Sequence, residues 1–190
     1  MASFKSARSR AIGTLALLPI LAWSGAARAQ TANDQKAEAL FREGRAAVDR
    51  GDYATGCARF TASVALTRRA GPLLNLASCD EHQGHLVAAL ASWTAGIALL
   101  PAGDERLAVS RQRAEALDRR IPRLTLQLAP GAAPDSKVLL DGAELSRSAL
   151  GVAQPVDLGD HVVVGAAPGY GEARSTITLA EGERRAIAIA

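Results

Sequence analysis

Two cysteines and two histidines near the middle of the chain are the residues best suited to metal binding. Cys79, His82 and His85 follow one another at intervals of three residues. A helix would bring at least the first two to one side, with Cys57 as a further candidate. Thiolate and imidazole are ligands that zinc takes in proteins, but Gly84 breaks a helix ahead of His85. Because the cysteines have a better use in each other, we predict no metal site and no cofactor.

Catalytic arrangements of the familiar kinds do not occur in the sequence. It has no Gly-x-Ser-x-Gly elbow, no Walker loop and no His-Glu-x-x-His pair. The carboxylate pairs Asp80-Glu81 and Asp104-Glu105 are adjacent, and adjacent residues of a helix point in different directions. Gly169-Tyr170-Gly171 indicates a turn, because it lacks the third glycine and the helix of a dinucleotide site. The sequence therefore predicts a protein that is not an enzyme.

The N-terminus has the pattern of a cleaved secretion signal. Three basic residues precede a mostly apolar run of 13 residues from Ala11 to Trp23, and Ala27-Arg28-Ala29 offers small residues to a signal peptidase. Such a run is too short to cross about 30 Å of hydrocarbon as a helix. We expect cleavage after Ala29 to remove residues 1–29, leaving a periplasmic or secreted protein with no transmembrane segment.

Removal of that segment changes the charge of the protein. The whole chain has 22 basic and 19 acidic residues and a formal net charge of +3. Residues 1–29 contain four basic residues and no acidic one, so the remainder has 18 basic and 19 acidic residues and a net charge of −1. A basic chain suggests a nucleic-acid or membrane partner, but this excess belongs to the removed segment. No nucleic-acid partner is expected.

The chain's only cysteines, Cys57 and Cys79, are candidates for a disulfide. An even number of cysteines in an exported protein favours pairing. Their separation of 22 residues means that closing the loop would stabilise the fold by about 3 kcal/mol. Two buried free thiols are the alternative, and a reactive or metal-binding pair is a further one.

A repeat of 33 residues organises the first half of the chain, and such a period predicts stacked two-helix units. Small residues within it let helices approach to about 8–10 Å. The repeated residues are Gly44, Gly51, Tyr53, Gly56 and Phe60, which recur as Ala77, Gly84, Leu86, Ala89 and Trp93.

Residues 34–121 show helical periodicity, with an apolar stripe that begins at Ala37 and continues to Val48. Glycines and prolines divide this stretch into about five helices. The predicted helices are 34–50, 53–69, 73–83, 86–100 and a fifth that runs to Ile121 with Asp104 as its N-cap; the Gly71-Pro72 pair is expected to break the second.

From Pro122 onward the apolar residues alternate, which is typical of strands. Val138–Leu145 with a turn at Asp141-Gly142 predicts a tight hairpin. Six or seven short strands in about 68 residues predict a small antiparallel β-sandwich. Further strands are expected at Leu124–Leu128, His161–Gly165, Thr176–Leu179 and Ala186–Ile189, the last two flanking a turn at Glu181-Gly182.

The helical half resembles the tetratricopeptide repeats. The residues that carry this resemblance are Gly44, Gly51, Tyr53, Gly56 and Phe60 in one unit and Ala77, Gly84, Ala89, Trp93 and Pro101 in the next. The sequence departs from the family at Leu40 and Leu73, where the family has tryptophan. Only two units are visible, so the fifth helix is expected to act as a cap. The resemblance implies stacked hairpins whose first helices line a concave groove.

The second half resembles the PEGA domain, a small β module of bacterial envelope proteins. The resemblance is carried by Val138–Gly142, by Pro155–Val164 and by Ala167–Tyr170, although the literal four-letter motif is absent. Together the two halves look like a secreted or envelope protein of Gram-negative bacteria, a class that mostly lacks an assigned activity.

The concave groove is the expected binding surface for a protein or peptide partner. Arginine and asparagine side chains in such a groove hold an extended peptide by charge-assisted and amide hydrogen bonds. An ordinary solvated surface is the alternative, and the basic side of the fifth helix is available to an acidic partner or to the β domain. The residues expected to face the partner are Phe41, Arg45, Val48 and Asp49 from the first unit and Asn75, Ser78, Glu81 and His82 from the second.

The sequence as a whole predicts an α+β protein with two domains. Residues 30–121 form a helical repeat domain with a capping helix, and residues 122–190 form a small antiparallel β-sandwich. The expected function is non-catalytic, in protein–protein or cell-envelope contacts through the groove. The alternative is binding of cell-wall glycan or another surface polymer by the β domain. Sugar sites usually need stacking rings, and Tyr170 is the only aromatic residue after Trp93.

Overall fold

The computed structural model describes residues 23–133 and 135–189. Within these residues the chain forms five α-helices followed by seven β-strands in two sheets, the α+β order expected from the sequence. Residues 1–22, which hold most of the expected signal segment, lie outside the described part. The helices are α1 (Trp23–Asp49), α2 (Tyr53–Leu66), α3 (Ala70–His82), α4 (Leu86–Ala98) and α5 (Arg106–Arg120).

The helices stack in chain order, each against the next. The turns between α1 and α2 and between α3 and α4 contain Gly51 and Gly84, whose φ angles are 80° and 81°. Glycine adopts this left-handed conformation without the steric cost that a side chain adds. The 33-residue repeat therefore corresponds to one helical hairpin, and α5 packs beside the second hairpin.

Small residues lie where the paired helices approach most closely. A Cβ atom at Gly44 would lie 2.7 Å from Cε1 of Phe60, closer than two non-bonded carbon atoms approach each other. Gly56 is buried at the same crossing. The corresponding residues of the second hairpin, Ala77 and Ala89, have no exposed surface. The repeated small residues thus set the distance between helices in both hairpins.

The boundary between α2 and α3 differs from the prediction. α2 ends at Leu66 rather than near Arg69, and the Gly71-Pro72 pair lies inside the first turn of α3 instead of breaking α2. Proline is well tolerated there, because the N–H that it lacks would have no partner within the helix. The prediction treated Pro72 as a stop, whereas it belongs to a helix start.

The start of α5 also differs from the prediction. Glu105, not Asp104, occupies the N-cap position. The Asp104 carboxylate nevertheless accepts the backbone N–H of Arg106 at 2.9 Å. The Asp104 side chain therefore binds a free N–H group of the first helical turn. It does so from the residue before the N-cap, whereas Asp104 was expected to be the N-cap itself.

The strands form two sheets around one apolar core. The first sheet has the order β4-β1-β7 and the second β3-β2-β5-β6. Leu124 and Leu126 of the first sheet share that core with Val138 and Val163 of the second. The strands are β1 (Arg123–Leu128), β2 (Lys137–Leu140), β3 (Ala143–Glu144), β4 (Ala153–Pro155), β5 (Gly159–Ala166), β6 (Ala173–Leu179) and β7 (Arg184–Ile189).

The predicted hairpin is confirmed, and its turn explains its register. Leu140 of β2 lies opposite Ala143 of β3, leaving Asp141 and Gly142 as a two-residue turn. Both turn residues have positive φ, 51° and 83° respectively. That combination matches the twist of the two strands.

The prediction of an antiparallel sandwich was wrong for the last strand. β6 and β7 belong to different sheets, and β7 runs parallel to β1, with Leu124 opposite Arg185. The turn at Glu181-Gly182 therefore carries the chain between sheets and does not close a hairpin. Alternation of apolar residues identifies a strand but not its partner, so the sequence pattern could not decide this pairing. The short strand β4 was also missed, because it has three residues and contains Pro155.

The helical half and the sheets are joined through several polar contacts. The Asp157 carboxylate, just before β5, accepts the N–H of Val87 in the first turn of α4 at 2.8 Å. The Arg120 guanidinium, at the end of α5, donates to Glu181 at 2.6 Å. The N–H of Gly182 donates to the carbonyl of Arg120 at 2.6 Å. The β6–β7 turn thus binds directly to the C-terminus of α5.

His161 extends this network into the second sheet. Its Nδ1 atom lies 2.7 Å from the Asp141 carboxylate and its Nε2 atom 2.9 Å from the Asp157 carbonyl. Both partners only accept, so both ring nitrogens must donate, which requires the protonated imidazolium. Burial alone would lower the pKa of His161, but the hydrogen bonds to Asp141 and Asp157 outweigh it and raise the pKa.

We expect Gly56→Ala to lower the free energy of unfolding by about 1–3 kcal/mol. Its Cβ would lie 2.5 Å from Cγ2 of Val48 and 3.2 Å from the carbonyl oxygen of Gly44. Gly71→Ala is the matched control, because its Cβ would make an ordinary contact at 3.5 Å with Phe41. Urea unfolding followed by circular dichroism measures both. Equal stability of the two variants would contradict close packing at this crossing.

We expect His161→Gln to remove a pH dependence of stability. The folded state raises the pKa of His161 above its ordinary value of 6.5. Its contribution is therefore complete below pH 6.5 and is lost as the pH rises through the folded-state pKa. The stability difference between wild type and variant should be largest below pH 6.5 and should shrink as the pH rises above it. His85→Gln, at an exposed histidine, is the control; a pH-independent difference for His161→Gln would refute a charged His161.

Candidate functional site

A groove runs between α3 and α5 across the second hairpin. It consists of two cavities of about 450 Å³ and 530 Å³ that share Ser78 and Arg113 in their walls. Helix α3 forms one wall and helix α5 forms the other, and Trp93 of α4 also lines the groove. The lining residues of α3 are Leu74, Asn75, Ser78, Glu81 and His82, and those of α5 are Arg106, Val109, Ser110, Arg113, Ala116 and Arg120. Trp93 of α4 and Glu105, at the N-cap of α5, complete the lining.

Trp93 connects the groove to the helical core. Its side chain is 4% exposed and packs in the cluster that includes Leu74 and Leu117. The Arg113 guanidinium lies over the indole with Cζ 5.7 Å from the ring centroid, a distance typical of a cation–π contact. The indole Nε1 is buried and has no hydrogen-bond acceptor among the described residues. An unpaired buried donor of this kind costs about 1–3 kcal/mol.

Ion pairs occupy both ends of the groove. At one end Arg106 donates to both oxygens of Asp104, at 2.9 and 2.7 Å, and these hydrogen bonds lower the pKa of Asp104 to about 2. At the other end Arg120 bridges Glu81, at 2.5 Å, and Glu181, at 2.6 Å. Arg113, between them, has no carboxylate partner among the described residues.

The α3 wall is fixed to the first hairpin by two contacts. Cys57 of α2 and Cys79 of α3 form a disulfide with a Cα–Cα distance of 5.5 Å, which confirms the predicted pairing. The His82 ring stacks on that of Tyr53, with centroids 3.7 Å apart and an interplanar angle of 6°. The disulfide joins α3 to α2, and His82, which stacks on Tyr53 of α2, also lines the groove.

The four residues predicted from the second unit all line the groove. Asn75 donates from Nδ2 to the carbonyl of Gly71 at 2.9 Å, and Ser78 donates from Oγ to the carbonyl of Leu74 at 3.3 Å. The Asn75 side-chain oxygen and the Ser78 hydroxyl oxygen retain acceptor capacity.

The four residues predicted from the first unit lie elsewhere, on α1. Phe41 is half-buried, with its ring centroid 5.8 Å from that of Phe60, and Val48 packs in the same cluster beside the disulfide. Arg45 and Asp49 are exposed. Neither cavity of the groove includes a residue of α1. The α3–α5 groove therefore contains only the residues predicted from the second unit.

Sequence reasoning missed α5 as the second wall of the groove. It assigned α5 the role of a cap, and in the structure Leu107, Ala114 and Leu117 form the side of α5 that packs against the helical core. Val109 does not belong to that side, and its side chain is 57% exposed at the edge of the groove. An apolar residue off the buried stripe of an otherwise polar helix was the available signal. The suggestion that α5 contacts the β domain holds for Arg120.

Three of the four residues considered as zinc ligands in the sequence have other contacts. Cys79 is bonded to Cys57 and His82 stacks on Tyr53. Across the described residues, no group of three or more histidine, cysteine or acidic side chains is placed to hold a metal ion. In that same part of the chain, no helix combines the length and apolar character needed to cross a membrane.

A separate and smaller cavity of about 230 Å³ lies at the end of the β-sandwich. Leu128 and Ile189 of the first sheet and Lys137 of the second line it, together with several glycines and alanines. The ring of Tyr170 stands at its edge and is 74% exposed. The isolated aromatic residue noted in the sequence is therefore a surface residue beside a cavity.

Comparison with protein-family models, with curated proteins and with solved structures finds no match for this chain. The fold and the site define the class of protein as α+β, with a two-hairpin helical half that carries a groove and a two-sheet half bound to its last helix. The tetratricopeptide and PEGA resemblances stay predictions.

We expect loss of the Cys57–Cys79 bond to lower the free energy of unfolding by about 3 kcal/mol, since the unfolded chain regains the freedom of the closed loop. Urea unfolding of the wild type with and without reductant measures this directly. The Cys57→Ala/Cys79→Ala double variant should be destabilised by a similar amount and should not respond to reductant. Alkylation of both cysteines in the unreduced folded wild type would show that the bond is absent.

Proposed function

We propose that this chain is an exported, non-catalytic protein that binds an extended segment of a partner protein in the α3–α5 groove. The observation that carries the proposal is the groove itself, in which the exposed side chain of Val109 and the Arg113 guanidinium, which has no carboxylate partner among the described residues, line one depression. The arginines at the two ends of the groove are instead paired with carboxylates.

An extended peptide matches the dimensions of the groove. From Asn75 to His82 the α3 wall rises about 10 Å at 1.5 Å per residue, which equals about three residues of extended chain. Leu74 and Val109 offer apolar contact, while Asn75 and Ser78 offer hydrogen-bond acceptors to a peptide backbone. The resemblance to tetratricopeptide repeats supports the same mode of binding.

Two features support export to the periplasm or beyond. The first 29 residues have the pattern of a cleaved signal, and the Cys57–Cys79 disulfide needs an oxidising compartment to persist. The resemblance of the second half to the PEGA domain supports an envelope location. We assign that half the role of holding α5 in position, through Arg120 and Asp157.

A second candidate function is binding of cell-wall glycan by the β domain. The observation in its favour is the exposed Tyr170 ring at the edge of the 230 Å³ cavity, because aromatic rings stack on the apolar faces of sugars. One ring is a small platform, so we rank this function second.

We expect a photo-crosslinker at Val109 to capture a partner protein in envelope extracts of the host, and the same crosslinker at Val152 to capture none. Val109→Glu should abolish retention of that partner, while Val152→Glu should not. The two valines are 57% and 50% exposed, so neither change affects a core residue, but only Val109 lines the groove.

Retention on insoluble peptidoglycan distinguishes the second candidate. If Tyr170→Ala is no longer retained on peptidoglycan while Val109→Glu is retained as well as the wild type, the β domain is the binding domain. Equal crosslinking at Val109 and Val152 would refute the groove as the binding surface.

A further inference from the structure

We infer that the open edge of β6 is a dimer interface, at which β6 pairs antiparallel with β6 of a second copy of this chain about Thr176. The second sheet has four strands in each copy, so the pairing gives one continuous sheet of eight. The interface is separate from the groove, because neither cavity of the groove includes a residue of β6. The inference therefore does not depend on the function proposed above.

β6 is the longest of the four strands that lie at the edges of the two sheets. β3 and β4 have two and three residues, and β4 contains Pro155, which has no N–H to donate. β6 has seven residues, five of which are exposed. A strand of this length at an edge offers a row of free N–H and C=O groups to another strand.

The outward backbone groups of β6 follow from the hydrogen bonds of β5. Val162 of β5 donates its N–H to the Asp141 carboxylate and accepts the N–H of Asp141, so its backbone faces β2. Backbone groups alternate in direction along a strand, so those of Val163 face β6, where Ser175 lies opposite. In the described part of the chain, no strand pairs with the other edge of β6. The residues whose N–H and C=O groups face that open edge are Arg174, Thr176 and Thr178.

A second copy of β6 fits this edge in a register that uses all three of these residues. With Thr176 opposite its twin, Arg174 lies opposite Thr178 of the second copy, and Thr178 lies opposite Arg174. Each is then a hydrogen-bonded pair, in which the two residues exchange both N–H···O bonds. The same surface is buried on both copies, as a two-fold dimer requires.

Charge complementarity favours that register. Thr178 lies opposite Asp160 of β5 and donates its hydroxyl to the Asp160 carboxylate. Arg174 of the second copy lies on the other side of Thr178, with its Cα about 10 Å from that of Asp160, since paired Cα atoms are about 4.5 or 5.5 Å apart. An arginine side chain spans that gap. Asp160 and Arg174 are both exposed, and neither has an ion-pair partner among the described residues. The two-fold axis forms this ion pair twice.

β7, the other long edge strand, offers no such match. Its charged residues are Arg184 and Arg185, and Arg185 is already paired with Glu183 at 2.5 Å. Self-pairing of β7 therefore has no acidic residue of the strand to match its arginines. β6 is the edge that a second copy fits.

The first test measures dimerisation of the chain purified after export, by sedimentation velocity from about 1 μM to about 1 mM. One pair of edge strands buries less than the roughly 1,200 Å² of a stable interface, so we expect a reversible dimer within this range. Arg174→Glu should raise the dissociation constant about tenfold, because it removes two ion pairs and sets like charges beside each other. Arg111→Glu makes the same change of charge at an exposed position of α5 and should leave dimerisation unchanged.

Exchange of the two charges makes the assignment specific. Asp160→Arg alone should also weaken the dimer about tenfold. The double variant Asp160→Arg/Arg174→Glu should return the dissociation constant to within about twofold of the wild type, because opposite charges face each other again. Both residues are exposed, and circular dichroism checks that each variant keeps the wild-type melting temperature.

Thiol crosslinking tests the register without changing a charge. Thr176→Cys places one cysteine of each copy side by side at the two-fold axis, so dibromobimane, which joins thiols a few ångströms apart, should link the two chains. Thr178→Cys is the matched control, because it is exposed on the same face but lies about 13 Å along the strand from its twin. Cys57 and Cys79 are bonded to each other and do not compete for the reagent.

A chain that stays monomeric up to about 1 mM overturns the inference. Unchanged dimerisation in Arg174→Glu, or failure of the double variant to restore the dimer, overturns it as well. Crosslinking at Thr178→Cys as strong as at Thr176→Cys places the contact in another register and has the same meaning. If a charge variant fails to fold, the crosslinking decides. None of these results bears on the groove, which the crosslinker at Val109 tests separately.

Discussion

Close approach of paired helices at small residues is the constraint on which the remaining structure depends. At Gly96 of α4, an added Cβ would lie 2.7 Å from Cδ2 of Leu74 and 3.3 Å from the Cβ of Leu73. α3 therefore lies directly on α4, so that Leu74 and Trp93 come together under the groove. The same contact at Gly44 and Gly56 sets α1 on α2 and leaves room for α3 beside them. A larger side chain at Gly96 would therefore push α3, one wall of the groove, away from α4.

Helix α3 illustrates how that packing is secured from several directions. The disulfide from Cys79 and the stacking of His82 hold it to α2, and the ion pair from Glu81 holds it to α5. These contacts differ in kind, since one is covalent, one apolar and one electrostatic. The position of this groove wall is consequently held by three separate contacts, which is the preorganisation that lowers the entropic cost of binding in the function proposed above.

The sequence was sufficient for features that local residues determine. Asp141-Gly142 predicts a two-residue turn because of its φ requirement, and the 33-residue repeat predicts hairpins because small residues recur at the crossings. The sequence could not predict that β7 pairs with β1 or that α5 forms a wall of the groove. Both depend on which surfaces meet in the folded chain, and neither apolar alternation nor a helical stripe contains that information. Val109 illustrates this limit of sequence-based prediction, because an exposed apolar residue indicates a contact surface but does not show which helix lies opposite it.

Arg120 links the two halves of the molecule to the groove. Its guanidinium contacts Glu81 on the α3 wall and Glu181 on the turn between β6 and β7, and these contacts raise its pKa. Because Asp157 also binds the start of α4, the β half contacts the N-terminus of α4 and the C-terminus of α5. The β domain is thus part of the structure that keeps α5 at its distance from α3. Both walls are thus held by contacts outside the groove, and Arg113 is the arginine of the groove lining that has no carboxylate partner among the described residues.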